Sequence, residues 1–435
     1  MSNGIRFDQP LPNIERSTDL LRRAKGLIPS YSQTIAKGPT QYVRGVAPAY
    51  LERGAGSHVW DVDGNEYIDL TMAVGPLSLG YACPRVDQAI AEQLAKGITF
   101  SLMHPLEVEV AELIRAAVPG TQMVRYSKTG ADVTSAAVRV ARAFTRRERV
   151  LCSGYHGWHD WYIGTTSRYS GVPSATRALT TAFPHNDPWA VLELLDDSVA
   201  CVILEPVLFE EPSRDFLPAL RRACSEAGAL LIFDEMWTGF RVALGGAQER
   251  YDVKADLACF SKAVANGMPL AALTGRADVM SLLEEDVFFY TTFGGEALSL
   301  AAARATILEL REHDVPAQLK LRGGRLQAGY NQLARERGMT YTRAVGLECR
   351  TLIQFDVQAG DPLLQKSLLQ QELLRHGVLW AGFHNLSFSH GDAEIDHVLG
   401  AYGRALDVLH EAVKSGDLRA RILGTPVQPV FRKTS

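Results

Sequence analysis

The chain reads ALLIFDE over 229–235 and LACFSKAVANGMPLAAL over 257–273. Both stretches open on a short unbroken apolar run, the pattern of a strand buried on both faces. Asp234 closes the first run and Lys262 follows the second. A lysine in nearly charge-free surroundings has reason to lose its proton, because burial disfavours the ammonium form. A neutral amine can attack a carbonyl, which is Schiff-base chemistry. An aspartate ending a buried strand can hold a protonated pyridine nitrogen, which is what pyridoxal phosphate requires of its protein.

Around these two stretches, short apolar strands alternate with amphipathic helices from about residue 120 to 275. MVRYS, RVLCS, ACVILEP, ALLIFDE and LACFS read as strands, TSAAVRVARAFTRR and DFLPALRRACSEAGA as helices. That alternation predicts an open, mostly parallel α/β sheet, whose ligands bind beyond the carboxyl ends of the strands. Glu205, Asp234 and Lys262 each sit at or just past such an end, as do residues 127–131 and Tyr155. Five segments therefore converge on one edge.

Before this region lie a helix-like stretch (14–27), an irregular segment (28–48) and HVWDVDGNEYIDL (58–70), which reads as a hairpin about Asp63-Gly64. After a long helix over 297–312 the character changes. LKLRGGRLQAGYNQLARER, LLQKSLLQQELLRHG and EIDHVLGAYGRALDVLHEAV predict helices, and LECRTLIQFD and HNLSFS predict strands. The expected organisation is an N-terminal segment (1–70), a large domain (71–314) and a smaller α+β domain (315–435).

The chain has 435 residues, 46% apolar and 22% charged, with a net charge of −4. That is an ordinary globular composition, with no basic field to attract nucleic acid or an anionic membrane. The basic cluster Arg142, Arg146, Arg147 and Arg149 reads as a solvated helix end. No apolar run is long enough to span a bilayer and no leader pattern opens the sequence. Six scattered cysteines without CxxC spacing fit reduced thiols in a cytoplasmic enzyme.

Around the pair the smaller signals take on meaning. Residues Thr129, Gly130 and Ala131 form a glycine turn between strand and helix, whose free N–H groups suit a phosphate. Tyr155, directly after a strand, can stack on a cofactor ring. Met236 either packs the opposite ring face or belongs to the core. His156 reads as a structural hydrogen-bonder, and the His156, His159 and Asp160 group lacks metal-ligand spacing. Lys128, in a polar turn, is a poor candidate for Schiff-base formation. Thr292, in TTFGG, again suits an anion before a helix.

Together these residues resemble the class III (subgroup II) aminotransferases, and among them the relatives of glutamate-1-semialdehyde 2,1-aminomutase. The resemblance runs through IPSYSQTIAKGP, HVWDVDGNEYIDL, AAVRVARAFTRRERV, YHGWHD, ILEPV, residues 231–276 and TFGGEALSLAAA. It implies a fold-type I homodimer with a seven-stranded sheet, active sites at the subunit interface and pyridoxal phosphate as cofactor. By position Lys262 is the cofactor-bearing lysine and Asp234 the partner of the ring nitrogen. Tyr155 stacks on the ring, Gly130 and Ala131 lie in the phosphate cup, and Thr292 reaches the neighbouring subunit's phosphate. Glu205 and Thr129 complete the cofactor set.

The departures bear on substrate. Lys37 stands where the aminomutase carries a carboxylate-binding arginine, with Thr34 at the nearby serine, and a lysine lacks the bidentate fork. Ala131 replaces the phosphate-cup threonine, Glu210 an asparagine, and Gly382 a glutamate. These changes, with Lys37, Thr34, Trp158 and Glu210 as candidate substrate contacts, point away from the aminomutase. The expected activity is transfer of an amino group from an amino acid to an aldehyde or ketone on a sugar, nucleoside or secondary-metabolite scaffold. The alternative is an intramolecular aminomutase. A non-enzymatic, effector-binding use of the fold would be marked by loss of the lysine, which is present.

Overall fold

The structure, a computed structural model, describes residues 10–429. The outermost parts of the expected first and last segments, 1–9 and 430–435, lie outside the described residues. Two compact units emerge: Pro84–Ala317, and a second built from the chain through Cys83 together with the chain from Gln318 onward.

The second unit opens with the amphipathic helix Glu15–Ala24 and strands β1 (Leu51–Ala55), β2 (His58–Asp61) and β3 (Glu66–Asp69). β2 and β3 pair antiparallel, as the hairpin reading requires. Asp61 fixes their turn: Oδ1 accepts the N–H groups of Asp63 (3.0 Å) and Asn65 (2.8 Å). Gly64 takes φ +90° there, a conformation natural to glycine. β1 was not foreseen, because its residues LERGA alternate poorly and are mostly exposed.

The Pro84–Ala317 unit carries β4 (Met123–Ser127), β5 (Arg149–Ser153), β6 (Thr180–Ala182), β7 (Val199–Leu204), β8 (Leu230–Asp234), β9 (Leu257–Phe260) and β10 (Ala271–Gly275). They form a seven-stranded sheet in the order β4-β10-β9-β8-β7-β5-β6. β6, β5, β7, β8 and β9 run parallel, and β10 runs antiparallel to both its neighbours. Every residue of β7 and β8 is buried. The helix Gly130–Thr145 covers one face, setting Val133, Ala137, Val138 and Ala141 against Val150, Cys201, Ile203, Ile232 and Leu273. Each large aliphatic side chain buried this way contributes roughly 1.5–3 kcal/mol. The sequence reading gives no strand at β6 or β10: β6 is three residues long, and β10 lies in the same charge-free stretch as Lys262, beyond the Asn266-Gly267 turn and Pro269.

The chain returns to the second unit with the helix Val315–Glu336, strands β11 (Thr342–Leu347) and β12 (Arg350–Phe355), the helix Pro362–Arg375, β13 (Val378–Leu379), β14 (Phe383–Asn385) and the helix Asp392–Ser415. LECRTLIQFD is not one strand: it starts in β11, turns at 348–349 and continues as β12. HNLSFS is strand only at its start. Beyond Asn385 the chain turns into local bonds, Ser387 N–H donating to His390 Nδ1 at 3.0 Å, which compete with a ladder.

Among the described residues no disulfide forms and no helix is long and apolar enough to cross a membrane.

Candidate active site

Strand register brings the expected residues to one edge. Asp234 pairs with Cys259, Phe233 with Leu204, and Leu204 with Ser153. Ser127 and Phe260 reach the same edge through their partners Ala271 and Ala272. The residues that follow these strand ends are Thr129, Tyr155, Glu205 and Lys262.

Lys262 is partly buried and followed by the fully enclosed Ala263, Val264 and Ala265. Its backbone sits at φ +49°, a conformation that costs a non-glycine residue free energy and gathers at functional sites. Next to it, the Ser261 hydroxyl donates to Leu270 O at 2.7 Å, pinning the turn onto the start of β10.

Asp234 is 1% exposed. Its Oδ2 lies 2.8 Å from His156 Nδ1, and its Oδ1 accepts Met236 N–H at 3.1 Å. His156 Nε2 lies 3.1 Å from the Ser153 carbonyl oxygen. A carbonyl only accepts, so Nε2 carries a hydrogen and Nδ1 shares a proton with the Asp234 carboxylate. Burial pushes the Asp234 pKa up, and the His156 bond and charge oppose it. The histidine also stacks on Trp161 (centroids 6.0 Å, 14°). Sequence reading gave it hydrogen bonding in general but not this partner.

Glu235 turns the other way. Its carboxylate accepts the Thr238 hydroxyl (2.6 Å) and the N–H groups of Ala247 (2.7 Å) and Gln248 (3.1 Å). Burial raises its pKa to about 7. Of the adjacent acids, Asp234 faces the edge shared with Lys262 and Glu235 braces a turn.

The turn at 129–131 has the geometry expected of an anion cradle at a helix start. Thr129 caps the helix Gly130–Thr145: its hydroxyl accepts Asp132 N–H (3.3 Å) while Asp132 Oδ2 accepts Thr129 N–H (3.0 Å) and the Ser127 hydroxyl (2.8 Å). The Gly130 and Ala131 N–H groups, in the first turn, have no intrahelical acceptor and point with the helix dipole's positive end. The cradle is close-packed. A Cβ on Gly130 would stand 2.8 Å from Met236 Sδ, and one on Gly157 (φ +103°) 2.7 Å from Ala131 Cβ. Met236 thus packs against the cradle.

Glu205, 6% exposed, accepts Tyr155 N–H at 2.7 Å through Oε1. That bond sets the backbone from which the Tyr155 ring projects, 42% exposed and edge-on to Tyr162 at 5.6 Å.

The substrate candidates are not gathered in this way. Trp158 is 69% exposed and meets His159 edge-on at 4.7 Å. Glu210 and Thr292 are exposed in the same unit, Glu210 after β7 and Thr292 in the turn before the helix Ala297–Glu312. Lys37 and Thr34 belong to the other unit, both exposed. Lys37 lines a cavity of about 550 Å³ there, with Tyr31, Tyr42 and Asp69. At Gly382 (φ +113°) Lys366 fills the space of a side chain, its Nζ 2.8 Å from where a Cβ would stand. Lys128, which the sequence left in a polar turn, is an ion-pair partner of Glu296 at 3.0 Å.

A buried carboxylate, a lysine at the next strand's end, an exposed aromatic ring and a helix-start cradle fit a phosphorylated pyridine aldehyde. Residues 41–390 match the aminotransferase class-III family, and the chain belongs to it: a fold-type I enzyme that uses pyridoxal phosphate for transamination. It is 36% identical over 434 residues to glutamate-1-semialdehyde 2,1-aminomutase of Roseiflexus castenholzii, covering 92% of this chain and 99% of that one. It is 32% identical over 406 residues to 3-aminobutyryl-CoA aminotransferase of Cloacimonas acidaminovorans, covering 90% and 97%. Among solved structures it is similar to the FumI protein of Sphingopyxis sp. MTA144 in its PLP internal aldimine form, with TM-score 0.86, 28% identity and coverage of 92% and 98%.

Proposed function

We propose that this enzyme moves an amino group from an amino acid donor to an aldehyde or ketone acceptor by a ping-pong mechanism, as a cytoplasmic homodimer. The observation that carries the reading is the buried Asp234–His156 pair, 2.8 Å apart, at the strand end adjacent to Lys262.

Pyridoxal phosphate, when bound, supplies a protonated ring that delocalises the electron pair left on the substrate Cα. Lys262 would hold the cofactor through Nζ, and the same amine, when free, would be the base that takes the proton from the donor Cα. Asp234, kept in place by His156 and by Met236 N–H, accepts the hydrogen bond of the ring nitrogen. Tyr155 and Met236 would cover the two ring faces, and Glu205 orients the Tyr155 backbone. The N–H groups of Gly130 and Ala131, with Thr129 capping their helix, bind the phosphate, and Thr292 of the neighbouring subunit completes that contact. The donor leaves as a keto acid before the acceptor enters.

For the acceptor, Lys37, Thr34, Trp158 and Glu210 are the proposed contacts. Lys37 in place of arginine lacks the bidentate fork for a carboxylate and, with Gly382 in place of glutamate, favours an acceptor other than a small anionic semialdehyde, on a sugar, nucleoside or secondary-metabolite scaffold. A second reading, an intramolecular aminomutase, is favoured by the aminomutase relative at 36% identity. The half-reaction separates them. Yellow holoenzyme is mixed with single L-amino acids while its absorbance and the released keto acid are followed. Bleaching with one keto acid per site supports the aminotransferase. No keto acid from any donor, with cofactor bound and competent, overturns it in favour of the mutase.

A further inference from the structure

Lys128 lies between the end of β4 and Thr129, the cap of the phosphate cradle. Its Nζ meets Glu296 Oε1 at 3.0 Å, with side chains 18% and 11% exposed. Burial draws the Lys128 pKa down, and Glu296 holds it up. Glu296 in turn caps the helix Ala297–Glu312: it accepts the N–H groups of Leu298 (2.8 Å) and Ser299 (3.0 Å) and the Ser299 hydroxyl.

This ion pair ends a row of contacts between the strand and residues 289–296. Arg125 donates to Phe289 O through Nε (3.2 Å) and Nη2 (2.8 Å) and lies over the Tyr290 ring at 4.3 Å. A Cβ at Gly294 would stand 3.0 Å from Tyr126 O and 2.7 Å from Thr291 Oγ1, and one at Gly295 2.7 Å from the Glu107 carboxyl carbon. The turn carrying Thr292 is therefore tied to β4 on both sides, by Arg125 at Phe289 and Tyr290 and by Lys128 at Glu296. A half-buried ion pair at its end is costly to break, because each charge would be left in a poor solvent.

We infer that Lys128 and Glu296 are positioning residues that tie a subunit's own phosphate cradle to the threonine turn it lends to its neighbour, so that the two phosphate contacts are held as one rigid piece. The inference rests on the reading that Thr292 completes the neighbouring site. Neither side chain touches the reacting atoms in this account. Their effect is on phosphate binding alone.

The test is a set of apoenzyme titrations with pyridoxal phosphate and with pyridoxal, which lacks the phosphate. Affinity is read by tryptophan fluorescence. Lys128→Met and Thr292→Val are each expected to weaken pyridoxal phosphate about ten-fold, 1.4 kcal/mol, and to leave pyridoxal unchanged. Lys128→Arg, which keeps the charge, should restore affinity. The double variant should be no weaker than the weaker single variant, as expected of residues acting through one element. Equal loss for both ligands would make the pair merely structural. Additive losses in the double variant would show that the pair does not act through the turn. Either outcome overturns the inference alone. Unchanged affinity in Thr292→Val would instead overturn the reading of Thr292, and the inference with it.

Discussion

His156 bridges Asp234, at the end of β8, to the backbone of β5, two strands away in the sheet, with Nδ1 2.8 Å from Asp234 Oδ2 and Nε2 3.1 Å from Ser153 O. The carboxylate is thereby fixed in direction and supplied with a proton donor while it is fully enclosed. A buried carboxylate without that donor would take up a proton instead. It would then lose its hold on a protonated ring.

His156→Phe should therefore lower kcat about ten- to a hundred-fold, the 1.5–3 kcal/mol carried by a hydrogen bond to a charged group. KM for the donor should change little. Steady-state kinetics, with the visible absorbance of bound cofactor followed against pH, would check this. A variant with wild-type kcat would show that Asp234 needs no support.

Glu235 gives a pH-dependent stability of known sign. Its folded pKa is raised from 4.5 to about 7 by burial, so the folded state holds its proton more tightly than the unfolded one. The stabilisation from that proton is complete below about 4.5, and it is lost as pH rises through about 7. The unfolding free energy of the wild type minus that of Glu235→Gln should fall across this window. Urea unfolding of both proteins at pH 5 and pH 8 measures it. A difference that stays flat or rises would contradict the burial argument.

Gly157→Ala places a methyl group 2.7 Å from Ala131 Cβ at a residue with φ +103°. Strain of this kind costs about 1–3 kcal/mol and would displace the cradle's second N–H. Lower stability in chemical denaturation should accompany weaker binding of pyridoxal phosphate. Gly64→Ala, at a turn with open space around it, is expected to lose stability without losing cofactor affinity.

The sequence showed the strands that bring Asp234 and Lys262 to one edge because β5, β7, β8 and β9 are short apolar runs with sharp polar ends. Asp234 and Lys262 were legible for that reason. β10 was hidden because its five residues lie in the same charge-free stretch as Lys262, separated from it only by the Asn266-Gly267 turn and Pro269, and β1 because its exposed LERGA has no alternation. Asp234 and Glu235 are adjacent in sequence, and only the bonds to Thr238, Ala247 and Gln248 explain why the second turns away. The Lys128–Glu296 pair joins residues 168 apart, a separation at which local pattern carries no signal.

Lys262 is the residue proposed to hold the cofactor. Holoenzyme would be reduced with borohydride, digested, and its peptides mapped by mass. The expected result is a phosphopyridoxyl group on the peptide containing Lys262 and on no other, and Lys262→Ala that folds but neither retains the group nor turns over. The group found on Lys128 or another lysine, or wild-type turnover in Lys262→Ala, would contradict the account.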